Sequence, residues 1–239
     1  MVEVARTTLR ARLADGSIRE GPALIGATLI VAVGGRTLKV RIGGIEPDAR
    51  DDRGEVMLYD FRVVTPTGGE EPLCEPDPDG RRLGLPLAGR TSPDGMLLLG
   101  SENEFELFCT GAAQAKCVRF GYAPWRQTPD GRSMLDWYNA CVRMVRGDYC
   151  GDGRHFTRNG TLIDIYDAIG VQTSDQDPSF SFEAMWRPDG AVCVAHPRIP
   201  EIIDLAGLAR ACPRLAGRLG PAVCNENAFG GGLIVNRSR

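Results

Sequence analysis

The chain has 239 residues, of which 43% are hydrophobic and 25% are charged, and its net charge at pH 7 is −3. This length suits one large domain or a domain with an added lobe, and the composition excludes collagen, coiled coils and wholesale disorder. The small negative charge and the lack of a basic patch with interleaved aromatic residues exclude nucleic acid as an expected partner.

The N-terminal part of the chain is predicted to consist of strands and turns. Strands are predicted over residues 28–33, 36–42, 56–64 and 105–109. Gly34 and Gly35 separate the first two, and because both glycines can adopt positive φ, we expect a two-residue hairpin there. Glycine, proline and aspartate recur so often over residues 65–102 that we predict no regular structure in that segment.

The middle of the chain is predicted to contain a pair of helices. The first covers residues 112–120 and the second covers residues 133–146, where apolar residues recur at helical spacing. Ser133 has the side chain of an N-cap, and Gly147 is the kind of residue at which helices end.

Strands return in the last third of the chain. They are predicted over residues 161–166, 179–186, 191–195 and 233–235. An amphipathic helix is predicted over residues 201–211, opened by Pro200. The predicted fold class is α+β, with mostly antiparallel strands, a central helical pair and bracing disulfides. We divide the chain into a β-rich part, residues 1–104, and a cysteine-rich α+β part, residues 105–239, although one continuous domain also suits the pattern.

The cysteines are the main clue to the cellular compartment. They are Cys74, Cys109, Cys117, Cys141, Cys150, Cys193, Cys212 and Cys224. An even count without C-x-x-C spacing, in a chain with two histidines, favours disulfides over a zinc site, so we expect no metal and no cofactor. Eight cysteines allow about 105 pairings. Our expectation is that Cys109 and Cys117 bond with Cys141 and Cys150, and Cys212 with Cys224.

Disulfides persist in oxidising compartments, so we expect the protein to be secreted, periplasmic or on the outer surface. Residues 1–6 contain no apolar core of a signal peptide, so either the chain is cytoplasmic or a signal peptide has been removed, and we favour the second alternative. No stretch of about 18 apolar residues exists, so no membrane span is predicted. Only two of the 28 basic residues are lysines, and this arginine excess resembles the coding bias of high-GC bacteria.

A cysteine-rich segment carries a resemblance to a known family. Its landmarks are the run from Cys109 to Arg119, residues 140–146, and Asp148-Tyr149-Cys150 followed by Gly151. The segment resembles the ADYC-domain family of bacterial proteins over roughly residues 105–198. Gly147 stands where the name motif of that family has alanine. The resemblance implies an exported protein and implies no particular reaction.

The loop formed by residues 148–155, hereafter the 148–155 loop, is the densest group of reactive side chains. Cys150 is a candidate nucleophile with His155 as its base, and Asp148 and Asp152 are further catalytic candidates. A helix C-terminus disfavours a thiolate, so we favour a disulfide for Cys150. Calcium binding through Asp148, Asp152 and Asn159 is another alternative, but ordinary turns need the same residues and the spacing is not that of an EF-hand.

Trp125, Tyr149 and Arg119 are the candidate binding residues. An aromatic face suits stacking on a sugar, whereas packing in the core is the alternative for Trp125. For Arg119 the alternative is an ion pair that braces the surrounding chain.

These observations predict an exported, disulfide-stabilised binding or structural module. Its expected partner is a protein or glycan at the cell surface. The alternative is a hydrolase-like or transferase-like enzyme that uses the 148–155 loop. The bonding state of the Cys150 sulfur discriminates between the two hypotheses, because a nucleophile must be a free thiol.

Overall fold

The computed structural model describes residues 1–33, 35–100, 103–226 and 231–239. The chain forms two compact units, of which the first comprises Met1–Arg90 and Leu98–Arg119 and the second comprises Thr91–Leu97 and Phe120–Arg239. The regular secondary structure of the described residues consists of antiparallel strands in several sheets and three α-helices, with short 3-10 turns. The predicted α+β class is therefore confirmed.

A three-stranded sheet opens the first unit. Its strands, paired in chain order, are β1 (Val2–Ala5), β2 (Thr8–Arg12) and β3 (Ile18–Glu20). A short 3-10 turn, Gly21–Leu24, follows. The sequence did not predict these strands, because each is too short for alternation to stand out.

A six-stranded sheet forms the larger part of the first unit. Its members are β4 (Thr28–Val33), β5 (Arg36–Pro47), β6 (Met57–Val64), β7 (Glu70–Pro72), β8 (Gly84–Ala88) and β11 (Phe105–Cys109). The strand order is β11-β8-β6-β5-β4, and β7 pairs with β6 beside that path. β4 and β11 are therefore the two ends of the order. The four strands predicted from residue 28 to residue 109 are all present.

The predicted hairpin joins β4 and β5. Val33 pairs with Arg36 in an antiparallel ladder, and Gly35 adopts a φ of +77°. Gly34 lies outside the described residues. Positive φ is the conformation that the two-residue turn requires, and it explains why glycine occupies this position.

The prediction of no regular structure over residues 65–102 is wrong. That segment contains β7, β8 and a two-stranded sheet of β9 (Arg90–Thr91) and β10 (Leu97–Leu98). β8 includes Pro86, which has no N–H to donate, and its ladder with β6 consists of the single pair Tyr59 and Gly84. Pro86 thus limits the ladder between β8 and β6 without preventing the strand.

The first unit has its own apolar core between β1, β2, β5 and β6. Val4, Leu9, Val40, Ile42 and Phe61 are buried together there. Burial of one such side chain contributes about 1.5–3 kcal/mol. The helix α1 (Ala113–Arg119) also belongs to this unit. The strand β11 belongs to the first unit as well, because it pairs with β8.

The second unit is built around a four-stranded antiparallel sheet. Its strands are β12 (Ile163–Asp167), β13 (Ser181–Arg187), β14 (Gly190–Val194) and β15 (Ile234–Ser238). The order is β12-β15-β13-β14, so the last strand of the chain fills the gap between β12 and β13. The helix α2 (Leu135–Arg146) packs against β13, β14 and β15.

Two helix starts differ from their predictions. The N-cap of α2 is Met134 rather than Ser133, although Ser133 Oγ still accepts a hydrogen bond from the N–H of Leu135 at 3.2 Å. The helix α3 (Leu205–Ala211) starts later than predicted. Asp204 caps it, because its side chain accepts the N–H of Gly207 and satisfies a donor that the helix leaves unpaired. None of the described helices is long and apolar enough to cross a membrane.

All eight cysteines are in disulfides. Three of the bonds are Cys74–Cys109, Cys150–Cys212 and Cys193–Cys224. The predicted partners of Cys109, Cys150, Cys212 and Cys224 are therefore wrong. The bonded residues lie 31 to 62 positions apart, and it is the sheet topology rather than proximity in sequence that brings them together.

Candidate functional site

The 148–155 loop begins directly after α2, whose end is set by Gly147. Gly147 adopts a φ of +61°, and its N–H bonds back to the carbonyl of Met144. A side chain here would meet the carbonyl oxygen of Phe156 at 3.1 Å. The left-handed conformation and this close approach both favour glycine, and together they turn the chain into the loop.

Asp148 organises the loop from inside. It is fully buried, and its Oδ1 accepts the N–H groups of Gly151 (2.9 Å) and Asp152 (3.2 Å). Its Oδ2 accepts the N–H of Gly153 (2.9 Å) and Arg143 Nη1 (2.6 Å). Four donors occupy the carboxylate, so it acts as a structural acceptor and is not positioned to take a proton from a substrate.

Arg143 connects the loop to two other turns of the same unit. Its guanidinium is buried and donates to the carbonyl of Pro188 (2.8 Å) and to Asp94 Oδ2 (2.7 Å), besides Asp148. A hydrogen bond from Ser92 is the main reason why the pKa of Asp94 lies below its usual value, and Arg143 adds to the effect. The buried cation is therefore compensated by two carboxylates.

Tyr149 points into the unit and is fully buried. Its hydroxyl donates to Glu183 Oε1 (2.8 Å) and accepts the N–H of Arg198 (3.1 Å). Its ring stacks on Trp186 with 5.2 Å between centroids. Burial, followed by the charge of Glu183, raises the pKa of the tyrosine. The hydroxyl remains protonated and serves as a donor.

A buried polar network continues from Tyr149. Arg198 donates through Nε (2.9 Å) and Nη2 (2.7 Å) to Glu183 Oε1, while Asn236 Nδ2 donates to Glu183 Oε2 (2.6 Å). Asn236 in turn accepts the indole N–H of Trp186 at 2.7 Å. Burial is the largest influence and would lower the pKa of Arg198, but the charge of Glu183, together with the hydrogen bonds to Glu183 and Tyr149, outweighs it and the net shift is upward. Every member has a partner, which is the condition for such a network to rigidify a core.

Cys150 joins the loop to the segment after α3 through its bond to Cys212. Arg214 reinforces the connection, because it donates to the carbonyls of Tyr149 (2.7 Å), Cys150 (2.9 Å) and Ala191 (2.8 Å). The Cys150 sulfur is thus part of a cross-link and carries no thiol in this structure.

The two remaining catalytic candidates lie on the outside of the loop. His155 and Asp152 are both exposed, and Asp152 forms an ion pair with Arg154 at 2.6 Å. Hydrogen bonding to Arg154 is the main cause of a lowered pKa for Asp152. The structure therefore turns the Asp148 and Tyr149 side chains inward and leaves Asp152 and His155 exposed on the outside of the loop.

The other binding candidates are not part of the loop. Arg119 lies in the first unit, where its guanidinium binds Asp48 at 2.6 Å and lies 3.7 Å from Asp77. The side chain is only 6% exposed, which fits the ion-pair interpretation. Trp125 lies in the second unit and is half-buried.

Two cavities were not foreseen from the sequence. One, of about 210 Å3 in the second unit, is lined by Arg187, Arg214, Arg218 and Asp189. The other, hereafter the edge groove, lies in the first unit, measures about 720 Å3, and is lined by residues 30–33 and 103–107 with Leu73 and Cys109. No signal in the sequence connects its two sides, which are some seventy residues apart. Within the described residues, no three acidic, histidine or cysteine side chains are grouped so as to hold a metal ion.

Comparison with family models matches the chain to the ADYC domain over residues 21–200. A search of curated proteins and a search of solved structures gave no match. The matched residues include Asp148, Tyr149 and Glu183. Two of their partners lie beyond the match: Cys212 is bonded to Cys150, and Asn236 donates to Glu183. The segment after residue 200 therefore completes the same buried cluster.

Proposed function

We propose that the chain, which belongs to the ADYC domain family, is an exported, disulfide-stabilised module of bacteria. It binds a protein or glycan at the cell surface, or it serves there as a structural element. The family itself specifies neither a reaction nor a ligand. The observation that carries this proposal is that all eight cysteines are in disulfides. Disulfides of this number are typical of proteins that fold and work in oxidising compartments.

The motif supports a structural use of its own residues. Asp148 holds the loop backbone, Tyr149 anchors the buried network, and Cys150 cross-links the loop to the segment after α3. All three side chains are engaged inside the unit. A hydrolase-like or transferase-like enzyme that uses the 148–155 loop has less support, because the Cys150 sulfur is bonded to Cys212 and the buried Asp148 carboxylate already accepts four hydrogen bonds.

The test is the location and thiol content of the protein in the cells that make it. Cells are fractionated in acid, which quenches thiol–disulfide exchange. The protein is then alkylated under denaturing and non-reducing conditions. Its intact mass gives the number of alkylated cysteines, and peptide mapping locates them. We expect the protein in an extracytoplasmic fraction with no alkylated cysteine. A cytoplasmic protein with labelled cysteines would overturn the proposal, and labelled Cys150 beside otherwise bonded cysteines would restore the enzyme hypothesis.

A further inference from the structure

We propose that the edge groove of the first unit binds an extended peptide segment in which apolar residues alternate with lysine or arginine. The inference rests on the proposed function as a binding module, and it assigns that function a site and a partner chemistry. It depends on three features of β4 and β11: their free backbone groups, the apolar side chains between them, and the sign of the charges beside them.

The backbone of β11 has one side free. Flanking the β11–β8 ladder, the N–H of Gly89 bonds to the carbonyl of Glu104 (2.6 Å) and the N–H of Thr110 bonds to the carbonyl of Leu83 (2.8 Å). Hydrogen-bonded pairs alternate along an antiparallel ladder. The backbone groups of Phe105 and Leu107 therefore point away from β8. The register agrees with Pro86, which lies opposite Leu107 and has no N–H to offer.

The same reasoning gives the free side of β4. The N–H of Ile42 bonds to the carbonyl of Ala27 (2.9 Å), next to the β4–β5 ladder. By alternation, Leu29, Val31 and Val33 bond to β5, and the backbone groups of Ile30 and Ala32 point outward. Among the described residues no strand pairs with this side of β4 or with the free side of β11. Both borders of the groove thus offer hydrogen-bonding groups for an added strand.

The side chains between the two borders favour a bound segment that has one apolar face. Val31, Leu73, Phe105 and Leu107 pack against the core of the unit and also line the groove. Successive side chains of a strand point to opposite faces, so an inserted segment would place every second residue on these four. Apolar residues at those positions would lose water and complete the core from its open side.

The charged side chains on the opposite face of the groove favour a bound segment with basic residues. The charged residues among the described lining of the groove are Glu104 and Glu106, both acidic, and both lie on the face opposite Phe105 and Leu107. Glu106 already interacts within the chain, so the charge available to a bound segment is assigned to Glu104. Lysine or arginine beside Glu104 would face opposite charge, whereas glutamate there would be repelled. Lining residues 30–33 and 103–107 correspond to four or five residues of an added strand at about 3.3 Å each.

The probe is an acetylated, amidated heptapeptide of alternating valine and lysine, titrated into the oxidised full chain by isothermal calorimetry. Its matched control alternates valine and glutamate. Hydrogen exchange followed by NMR then reports the amides of Ile30, Ala32, Phe105 and Leu107. We expect the basic peptide to bind, the acidic peptide not to bind, and amides of at least one border to become protected.

Three variants locate the binding. Glu104→Lys weakens binding of the basic peptide about fivefold, while Glu71→Lys, an equal change of charge on exposed β7, leaves it unchanged. Ile30→Pro removes an outward N–H without touching the β4–β5 ladder, and it reduces the protection seen along β4. Thermal unfolding of each variant shows that the fold is retained.

Several results would overturn the inference: no binding of the basic peptide, equal binding of both peptides, or binding that none of the edge variants changes. Dimerisation that competes with the peptide and is lost in Ile30→Pro would assign the groove to a second copy of the chain instead. The proposed function is judged separately by cell fractionation. An extracytoplasmic, fully disulfide-bonded protein that ignores both peptides refutes this inference alone.

Discussion

The hydroxyl of Tyr149 lies 2.8 Å from Glu183 Oε1, inside a cluster where Arg198 donates to the same oxygen. Each group is fully buried or nearly so. The tyrosine comes from the 148–155 loop, the glutamate from β13 and the arginine from the chain after β14. The hydrogen bonds to this one oxygen therefore join three separate segments, and the tyrosine of the motif is a structural anchor.

Replacing Tyr149 with phenylalanine tests this anchor. Tyr149→Phe keeps the ring that stacks on Trp186 but leaves Glu183 and the N–H of Arg198 short of one partner each. Buried polar groups without partners cost about 1–3 kcal/mol. We expect the free energy of unfolding, measured by urea titration, to fall by that amount.

Tyr166→Phe is the matched control, because its hydroxyl donates to Glu226 at an exposed position. We expect a loss below about 0.5 kcal/mol there, since water replaces the partner. Equal losses in the two variants would contradict the anchoring role of Tyr149.

The close approach of the loop to the β13–β14 turn makes a second prediction. Gly151 adopts a φ of +75°, and a Cβ at this position would collide with the carbonyl of Asp189. Gly151→Ala combines left-handed strain with a backbone clash, so we expect about 3 kcal/mol of destabilisation in urea. Gly160→Ala has a similar φ of +85° and open space around it, so it isolates the strain and is expected to cost about 1–2 kcal/mol. A Gly151→Ala protein as stable as the Gly160→Ala protein would show that the turn does not contact the loop.

The sequence predicted the elements that have strong periodicity, such as α2 and β13, and it predicted that the cysteines form disulfides. It did not predict which faces are buried. Strict alternation would place Glu183 on the face of β13 opposite Trp186, but the pairing register shifts between Phe182 and Ala184, and Glu183 and Trp186 both bond to Asn236. Met185 is buried in a separate apolar cluster, so the strand is covered on both sides. Two-sided burial hides the alternation that marks a surface strand. A charged residue in such a strand is the signal that a buried partner, here Arg198, exists.

Partners distant in sequence were beyond prediction for a related reason. Asn236 reaches Glu183 only because β15 inserts between β12 and β13. Nothing local to residues 234–238 specifies that insertion. The edge groove has the same origin, since its two borders are formed by β4 and β11 at opposite ends of the strand order.

The disulfide of the motif is expected to be a large contribution to stability. Cys150 and Cys212 are 62 positions apart, and closing a loop of that length stabilises by about 4 kcal/mol in the chain-entropy account. We expect the double variant Cys150→Ala with Cys212→Ala to lose about that much in urea unfolding. Cys193→Ala with Cys224→Ala, 31 positions apart, provides the comparison and should lose slightly less. A loss below about 1 kcal/mol in both would rule out a bracing role.

The lowered pKa of Asp94 predicts how the stability of the second unit depends on pH. Its pKa lies below the usual 3.8, chiefly because of the hydrogen bond from Ser92 and then because of Arg143. The unfolded state therefore binds the proton more tightly than the folded state. The stabilisation is present above the unfolded pKa and is lost as the pH falls through the folded pKa. We expect Asp94→Asn to flatten the dependence of unfolding free energy on pH below about pH 5, with Ser92→Ala acting in the same direction. An Asp94→Asn protein with the original slope would show that other carboxylates carry the effect.

The orientation of β4 can be tested by moving a proline along it. Val31 is assigned an N–H that bonds to β5, whereas the N–H of Ile30 is assigned to the open side of the groove. Val31→Pro removes a ladder bond, so we expect about 3 kcal/mol of destabilisation, while Ile30→Pro at the free edge is expected to cost less than half of that. Urea unfolding of the two proteins gives the comparison directly. The reverse order of stability would place Ile30 in the ladder and Val31 at the edge, and the free backbone groups inferred for the groove would then be the wrong ones.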